Sequence, residues 1–472
     1  MCREVRARAP LRRRSPAHIP LGNRGPDNAA LRCSAVEHAQ AAVAPREARV
    51  DGSEVRTLSQ PYRPEAQRLC TRSTVLCLLL GAALASAAAS ASAPGTSERD
   101  PRLSVAPDAP FVLRSVGGVQ RIAGLTGVGS PNATERYGIE GTDLGSMFSF
   151  GGRTWFVFGD TFGKREKGSI GAGGAQWRSN TIAYTRDTDP TDGITFDGML
   201  VDGRGRARQL VPSKKVDGDE MTVIPTHGFA AGDTMYLHWM SVRHWGKPGE
   251  WETNFAGLAK STDEGRTWTV LDAPRWGGES SFVQVAPATV REDGADWLYF
   301  WGTTHGRFGG VSLMKVPASQ VESPAAYRYF QGTDAKGAPR WSASQAQARR
   351  VVDDTTGELS VVWNAYLGHW LMSYLKEGTG IVMREGLAPW GPWGPAVKVL
   401  DAADAPGAYA PFMAEQYVRD GGRTVYFSLS AWGPYNVSWY KAELTRADGA
   451  SASPEVVKRE PTGPQPLARE VL

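Results

Sequence analysis

From about residue 110 to residue 445 the chain is a series of short apolar runs separated by turn residues. Sustained helical periodicity is scarce, and the runs are rich in aromatic and β-branched side chains, so this stretch reads as all-β. One unit recurs: an apolar strand, a turn carrying Gly or Asp, then a second strand built on aromatics. Copies occupy residues 147–158, 222–239, 283–301, 359–374 and 411–429, turning at Gly151-Gly152, Gly232-Asp233, Glu292-Asp293-Gly294, Leu367-Gly368 and Asp420-Gly421-Gly422. A third strand follows each, at 181–184, 256–259, 311–314, 381–383 and 437–440. Five such repeats predict a five-bladed β-propeller, with a strand near 111–116 completing the last blade and closing the ring. A β-sandwich is the rival all-β architecture, but it does not require a five-fold recurrence. Residues 261–268, Ser-Thr-Asp-Glu-Gly-Arg-Thr-Trp, have the form of an Asp-box, a hairpin turn of propeller blades, and are expected to be structural.

Composition divides the chain near residue 93. The first 93 residues hold no Trp, no Phe and all four Cys; all 16 Trp and 15 Phe follow. They also hold 14 Arg, no Lys and seven acids, which leaves 39 basic and 42 acidic residues for the rest of the 472-residue chain. The basic pI therefore describes the leader. The body is mildly acidic, with no basic run, and nucleic acid is not an expected partner. Residues 74–89 are apolar and Ala-rich, preceded by Arg68 and Arg72 and followed by Ala91 and Ala93, the layout of a secretory signal peptide. A single membrane anchor is the alternative, but the run is marginal for spanning.

The expected organisation is a basic extension over 1–73, whose first 60 residues are read as lying upstream of the true start. A signal segment follows over 74–93, a propeller over 94–445 and a tail over 446–472. The mature chain has no cysteine, so burial alone must hold it. A secreted or cell-envelope monomer, with no membrane insertion after signal cleavage, is expected.

In a propeller blade the first strand starts, and the second ends, at the same rim of the central channel. Those positions supply Asp143, Glu220, Gln284, Glu358 and Tyr409 from first strands. They supply Asp160, His244, His305, Arg307, Glu377, Trp432 and Tyr435 from second strands. Paired carboxylates with aromatic platforms suit glycoside cleavage, in which one acid protonates the leaving oxygen and the other activates water or attacks the anomeric carbon. Asp143, in Gly-Thr-Asp-Leu-Gly, and Asp160, in Phe-Gly-Asp-Thr-Phe, flank the first hairpin and are the candidate pair. Asp143 is assigned as base and Asp160 as acid. Glu220 and Glu358 are reserve acids; His244, Trp245, His305, Arg307, Trp432 and Tyr435 are candidate sugar contacts. The bland reading of an Asp beside Gly and Thr is a turn cap. No H-E-x-x-H, metal-spaced Cys/His cluster, phosphate loop or G-x-S-x-G is present, so no cofactor is expected, and a structural calcium is left open.

Three runs in fixed order, Gly-Ile-Glu-Gly-Thr-Asp-Leu-Gly at 138–145, Phe-Gly-Asp-Thr-Phe-Gly at 158–163 and Trp-Arg-Ser-Asn at 177–180, together with Ser-Ala-Trp-Gly-Pro-Tyr-Asn-Val at 430–437, resemble a bacterial domain-of-unknown-function family, number four-one-eight-five. The resemblance covers about residues 120–444. Members of that family include endo-D-arabinanases, five-bladed propellers that cut the D-arabinofuranose chains of mycobacterial arabinogalactan and lipoarabinomannan. The resemblance implies a glycoside hydrolase acting on an arabinan-type polysaccharide, with Asp143 and Asp160 as its catalytic carboxylates. Two other readings stay open: a non-catalytic sugar-binding propeller, and a sialidase-like enzyme using Arg178, Arg243 and Arg307.

Overall fold

The computed structural model describes residues 100–103 and 106–448. The leader, the signal segment and residues 449–472 of the tail lie outside the described residues. The described chain forms 21 strands. The strand β1 (Leu113–Gly124) precedes a first blade of β2 (Gly141–Phe150), β3 (Arg153–Phe162), β4 (Thr181–Thr185) and β5 (Gly198–Met199). The second blade is β6 (Thr222–Ala231), β7 (Thr234–Trp245), β8 (Trp251–Ser261) and β9 (Thr269–Gly277). The third is β10 (Gln284–Glu292), β11 (Ala295–Thr303) and β12 (Gly309–Pro317), with a hairpin of β13 (Arg328–Thr333) and β14 (Pro339–Ser342) on its outer edge. The fourth is β15 (Arg350–Asn364), β16 (His369–Lys376), β17 (Gly380–Gly386) and β18 (Val397–Asp401). The fifth is β19 (Ala408–Arg419), β20 (Thr424–Ala431) and β21 (Asn436–Arg446), completed by β1, which pairs antiparallel with β21. The five predicted hairpins and the closing strand are all present.

The first strands β2, β6, β10, β15 and β19 lie each against the next, and β19 lies against β2. The ring is thus closed, and the protein is a five-bladed β-propeller. Inner strands are covered by a neighbouring blade on both faces, which explains why β3 and β16 are buried almost without interruption rather than on alternate residues. Aromatics fill the spaces between blades: Trp301 of the third meets Trp370 of the fourth at 5.2 Å, and Phe229 of the second meets Phe300 of the third at 5.2 Å. Closure is anchored from the fourth blade, where buried Glu385 accepts the backbone N–H of Val112 at 2.9 Å and of Leu113 at 2.7 Å, and the imidazole of His369. The Asp-box is the β8–β9 turn. Asp263 accepts both the N–H and the hydroxyl of Thr267, a self-contained hairpin bracket with a structural role.

Candidate active site at the mouth of the ring

The β2–β3 hairpin opens away from its Gly151-Gly152 turn, so the start of β2 and the end of β3 come together at the rim. Their pairing is irregular there. Thr142 faces Thr161 and Leu144 faces Phe158, which leaves Asp143 alone opposite both Gly159 and Asp160. This bulge sets the two carboxylates side by side. Gly159 makes room: a Cβ at that position would lie 2.4 Å from Asp143 Oδ1. Just beyond, Leu144 takes φ +67°, a left-handed conformation that a branched side chain rarely adopts. Blade five holds it there, with the Leu144 N–H donating to Ser430 Oγ at 2.9 Å and the Thr142 N–H to the Tyr435 carbonyl at 2.8 Å.

The two acids have different surroundings. Asp160 is buried, and its Oδ1 accepts the indole N–H of Trp177 at 2.7 Å and the hydroxyl of Thr222 at 2.6 Å. Burial pushes its carboxyl up to about 6, against the two donors and the nearby Lys215 ammonium, which favour the anion. The ammonium of Lys215 in turn donates to the Trp177 carbonyl and sits 4.9 Å from its ring centre. Asp143 receives one bond, from the Tyr409 hydroxyl to Oδ2 at 2.9 Å, and its buried Oδ1 has no partner. Burial, and then the negative charge of Asp160, push Asp143 up to about 8, although Tyr409 and Tyr435 favour its anion; Glu358 adds to the rise. Near neutral pH the arrangement holds Asp143 as an acid and Asp160 as an anion.

Both carboxylates open into a cavity of about 670 Å³ at the ring mouth. Its apolar walls come from Ile224, Met240, Leu375 and Phe412, and its aromatic margin from Trp245, Trp251, Tyr409, Trp432 and Tyr435. That size and mixture are usual for a small-molecule or oligosaccharide site. Among the described residues no group of three or more His, Cys, Asp and Glu is placed to hold a metal ion.

A family model, domain of unknown function DUF4185, matches residues 129–441, from the segment before β2 into β21, and so includes every residue of this cavity. The chain belongs to the DUF4185 family. It is also similar to Notoamide biosynthesis cluster protein J′ of Aspergillus versicolor, 27% identical over 313 residues that cover 63% of this chain and 82% of that protein. Among solved structures it is similar to a GH43_1 enzyme from Xanthomonas citri (15% identity, TM-score 0.38, covering 71% of this chain and 93% of that one). A second is CoXyl43, a GH43 β-xylosidase/α-arabinofuranosidase from a compost microbial metagenome (13% identity, TM-score 0.38, covering 71% and 98%).

In this DUF4185 domain Asp143, Asp160, Trp245, Arg307, Glu358, Trp432 and Tyr435 all line the one cavity, with Gln284, Glu377 and Tyr409 beside them. Three expected contacts do not. Glu220 lies in a side hairpin, bridged to Val216, and its carboxylate is taken up by the Lys214 N–H and the Ser241 hydroxyl. The rim position of that blade is instead Thr222, the first residue of β6. His244 is exposed and paired with Asp217 at 2.7 Å. His305 is turned to the Trp251 carbonyl at 2.6 Å and packs on Phe308. Sequence reasoning missed Thr222, Trp177 and Lys215 as partners of Asp160. Trp177 stood within the family motif at 177–180, which was the available signal; Thr222 and Lys215 carried none.

Proposed function

We propose that this protein is an exported glycoside hydrolase that cuts within D-arabinofuranose chains of the arabinogalactan and lipoarabinomannan type. Asp143 protonates the leaving oxygen. Asp160, held as an anion by Trp177 and Thr222, activates water or attacks the anomeric carbon. This order reverses the one expected from sequence, because the burial and donor set of each carboxyl decide it rather than its place in the hairpin. The observation that carries the reading is the bulge that sets two unequal carboxylates side by side in an aromatic-margined cavity. Trp245 and Trp432, both exposed at the mouth, offer flat faces to sugar rings on either side of the acids. The arabinan substrate rests on the family resemblance, and export rests on the apolar leader at 74–89.

The test is to incubate the protein with mycobacterial arabinogalactan and look for released oligosaccharides, then repeat with Asp143→Asn and Asp160→Asn. Oligosaccharides from the unmodified protein alone are expected. Release by either variant at the unmodified rate would remove the assigned residues. Absence of products from every arabinan, with sugar affinity intact in both variants, would favour a binding propeller instead.

A further inference from the structure

A third carboxylate in the cavity has no part in the chemistry above. Glu358 stands where β15 leaves its pairing with the third blade and enters the fourth, between Thr356 and Leu359. Its Oε1 accepts Arg307 Nη2 at 2.8 Å, while its Oε2 is buried and has no partner in the protein. The residue is only 8% exposed, and it lines the cavity. A buried carboxylate oxygen left bare is costly, and such a group is commonly completed by a ligand or an ordered water.

We propose that Glu358 is a third working carboxylate of this site, its free Oε2 accepting a hydroxyl of the sugar ring held at Asp143, with Arg307 as the positioning residue that fixes it. The inference rests on the glycosidase reading for the identity of its ligand. Arg307 is well placed for the role. Its guanidinium lies 5.0 Å from the Tyr409 ring centre and 5.9 Å from that of Trp251, and its backbone N–H donates to the Gly249 carbonyl of the loop between β7 and β8. Tyr409 is the donor to Asp143. Arg307 therefore links the loop between β7 and β8 through its backbone, and the hydroxyl acceptor and the donor to Asp143 through its side chain.

The charge of Glu358 has a second consequence. The groups facing Asp143 are Asp160 on β3, Tyr409 on β19, Tyr435 before β21 and Glu358 on β15, and the Glu358 anion helps keep Asp143 protonated. Replacing Glu358 with neutral Gln must move the titration of Asp143 to lower pH, while Glu358→Asp keeps the charge but shortens the reach to the sugar.

The experiment has two readouts, neither of which needs turnover. Binding of an arabino-oligosaccharide is measured by calorimetry in the Asp160→Asn background, and the Asp143 carboxyl is titrated by difference infrared spectroscopy without sugar. Glu358→Gln is expected to weaken binding about tenfold or more, the loss expected for a buried charge-assisted hydrogen bond, and to lower the Asp143 titration. Glu358→Asp is expected to weaken binding while leaving the titration nearly in place; this second variant keeps the test valid if the first does not fold. Unchanged binding in both variants overturns the proposal. Cleavage of arabinan by the unmodified protein together with unchanged binding would sink this inference and leave the hydrolase reading standing. Weakened binding with no cleavage of any arabinan would do the reverse.

Discussion

Replacing Asp143 by Asn should make the protein more stable and inactive, and the gain should grow with pH. The folded site lifts the Asp143 carboxyl from its ordinary 3.8 to about 8. Between those values the folded protein holds a proton that the unfolded chain gives up, so folding loses stability as pH rises through this window and levels off above about 8. At pH 8 the shift corresponds to ~5 kcal/mol, and water reaching the acid through the cavity reduces the working figure to ~2 kcal/mol. Asn carries no titration and can still accept the Tyr409 hydroxyl, so it removes this loss at little packing cost. Paired denaturant unfolding curves at pH 4, 6 and 8 measure the effect. The Asn variant should match the unmodified protein at pH 4 and exceed it by ~2 kcal/mol at pH 8, while arabinan cleavage falls by ~10²–10⁴-fold, the range for losing a general acid. A variant no more stable at pH 8 than at pH 4, relative to the unmodified protein, would refute the premise that Asp143 is held neutral.

Thr222→Val removes one of the two donors to Asp160 Oδ1, so the Asp160 carboxyl should rise further and the acidic limb of the kcat/KM profile should move to higher pH; a profile that stays in place would contradict the base assignment. Gly159→Ala puts a methyl 2.4 Å from Asp143 Oδ1 and should cost about 1–3 kcal/mol in unfolding free energy, with a loss of kcat as the acid is displaced. Glu385→Ala strips the acceptor from the N–H groups of Val112 and Leu113 and from His369, and should lower the unfolding free energy by ~3 kcal/mol without changing the pH profile of cleavage.

The fold was legible because its signal is repetitive. Each second strand, such as 155–158 or 370–374, is apolar on both faces and ends in a turn, and this pattern recurs five times. Both aspartates line the cavity at the mouth because their position depends only on which end of a hairpin faces the channel. Glu220, His244 and His305 lie off that cavity because distance from the strand does not reveal the partners waiting there. Glu220 lies only two residues before β6, yet its carboxylate is taken up by the Lys214 N–H and by the hydroxyl of Ser241 on β7. The roles proposed for the two acids were not legible for a related reason. Asp160 takes its donors from residues 17 and 62 positions away, and Asp143 takes its donor from a residue 266 positions away. No local pattern encodes which of two aspartates will be buried beside bonds that suit its anion.

The same long-range contacts explain why the acids sit on the first blade. That blade meets the last one at the seam where the ring closes, and the seam carries the site. From blade five, Ser430 holds the Leu144 backbone, Ser428 donates to the Gly145 carbonyl, Tyr435 takes the Thr142 N–H, and Tyr409 orients Asp143 itself. Three non-glycine residues at this seam, Leu144, Ala410 and Tyr435, have positive φ. Each costs roughly 1–3 kcal/mol and persists only where surrounding structure overrides it. The β1–β21 pairing and the Glu385 anchor supply that structure, so ring closure does more than hold the fold together. It forces Asp143 against the buried Asp160, and an open ring is expected to leave Asp143 hydrated, ionised and without the acid role proposed for it.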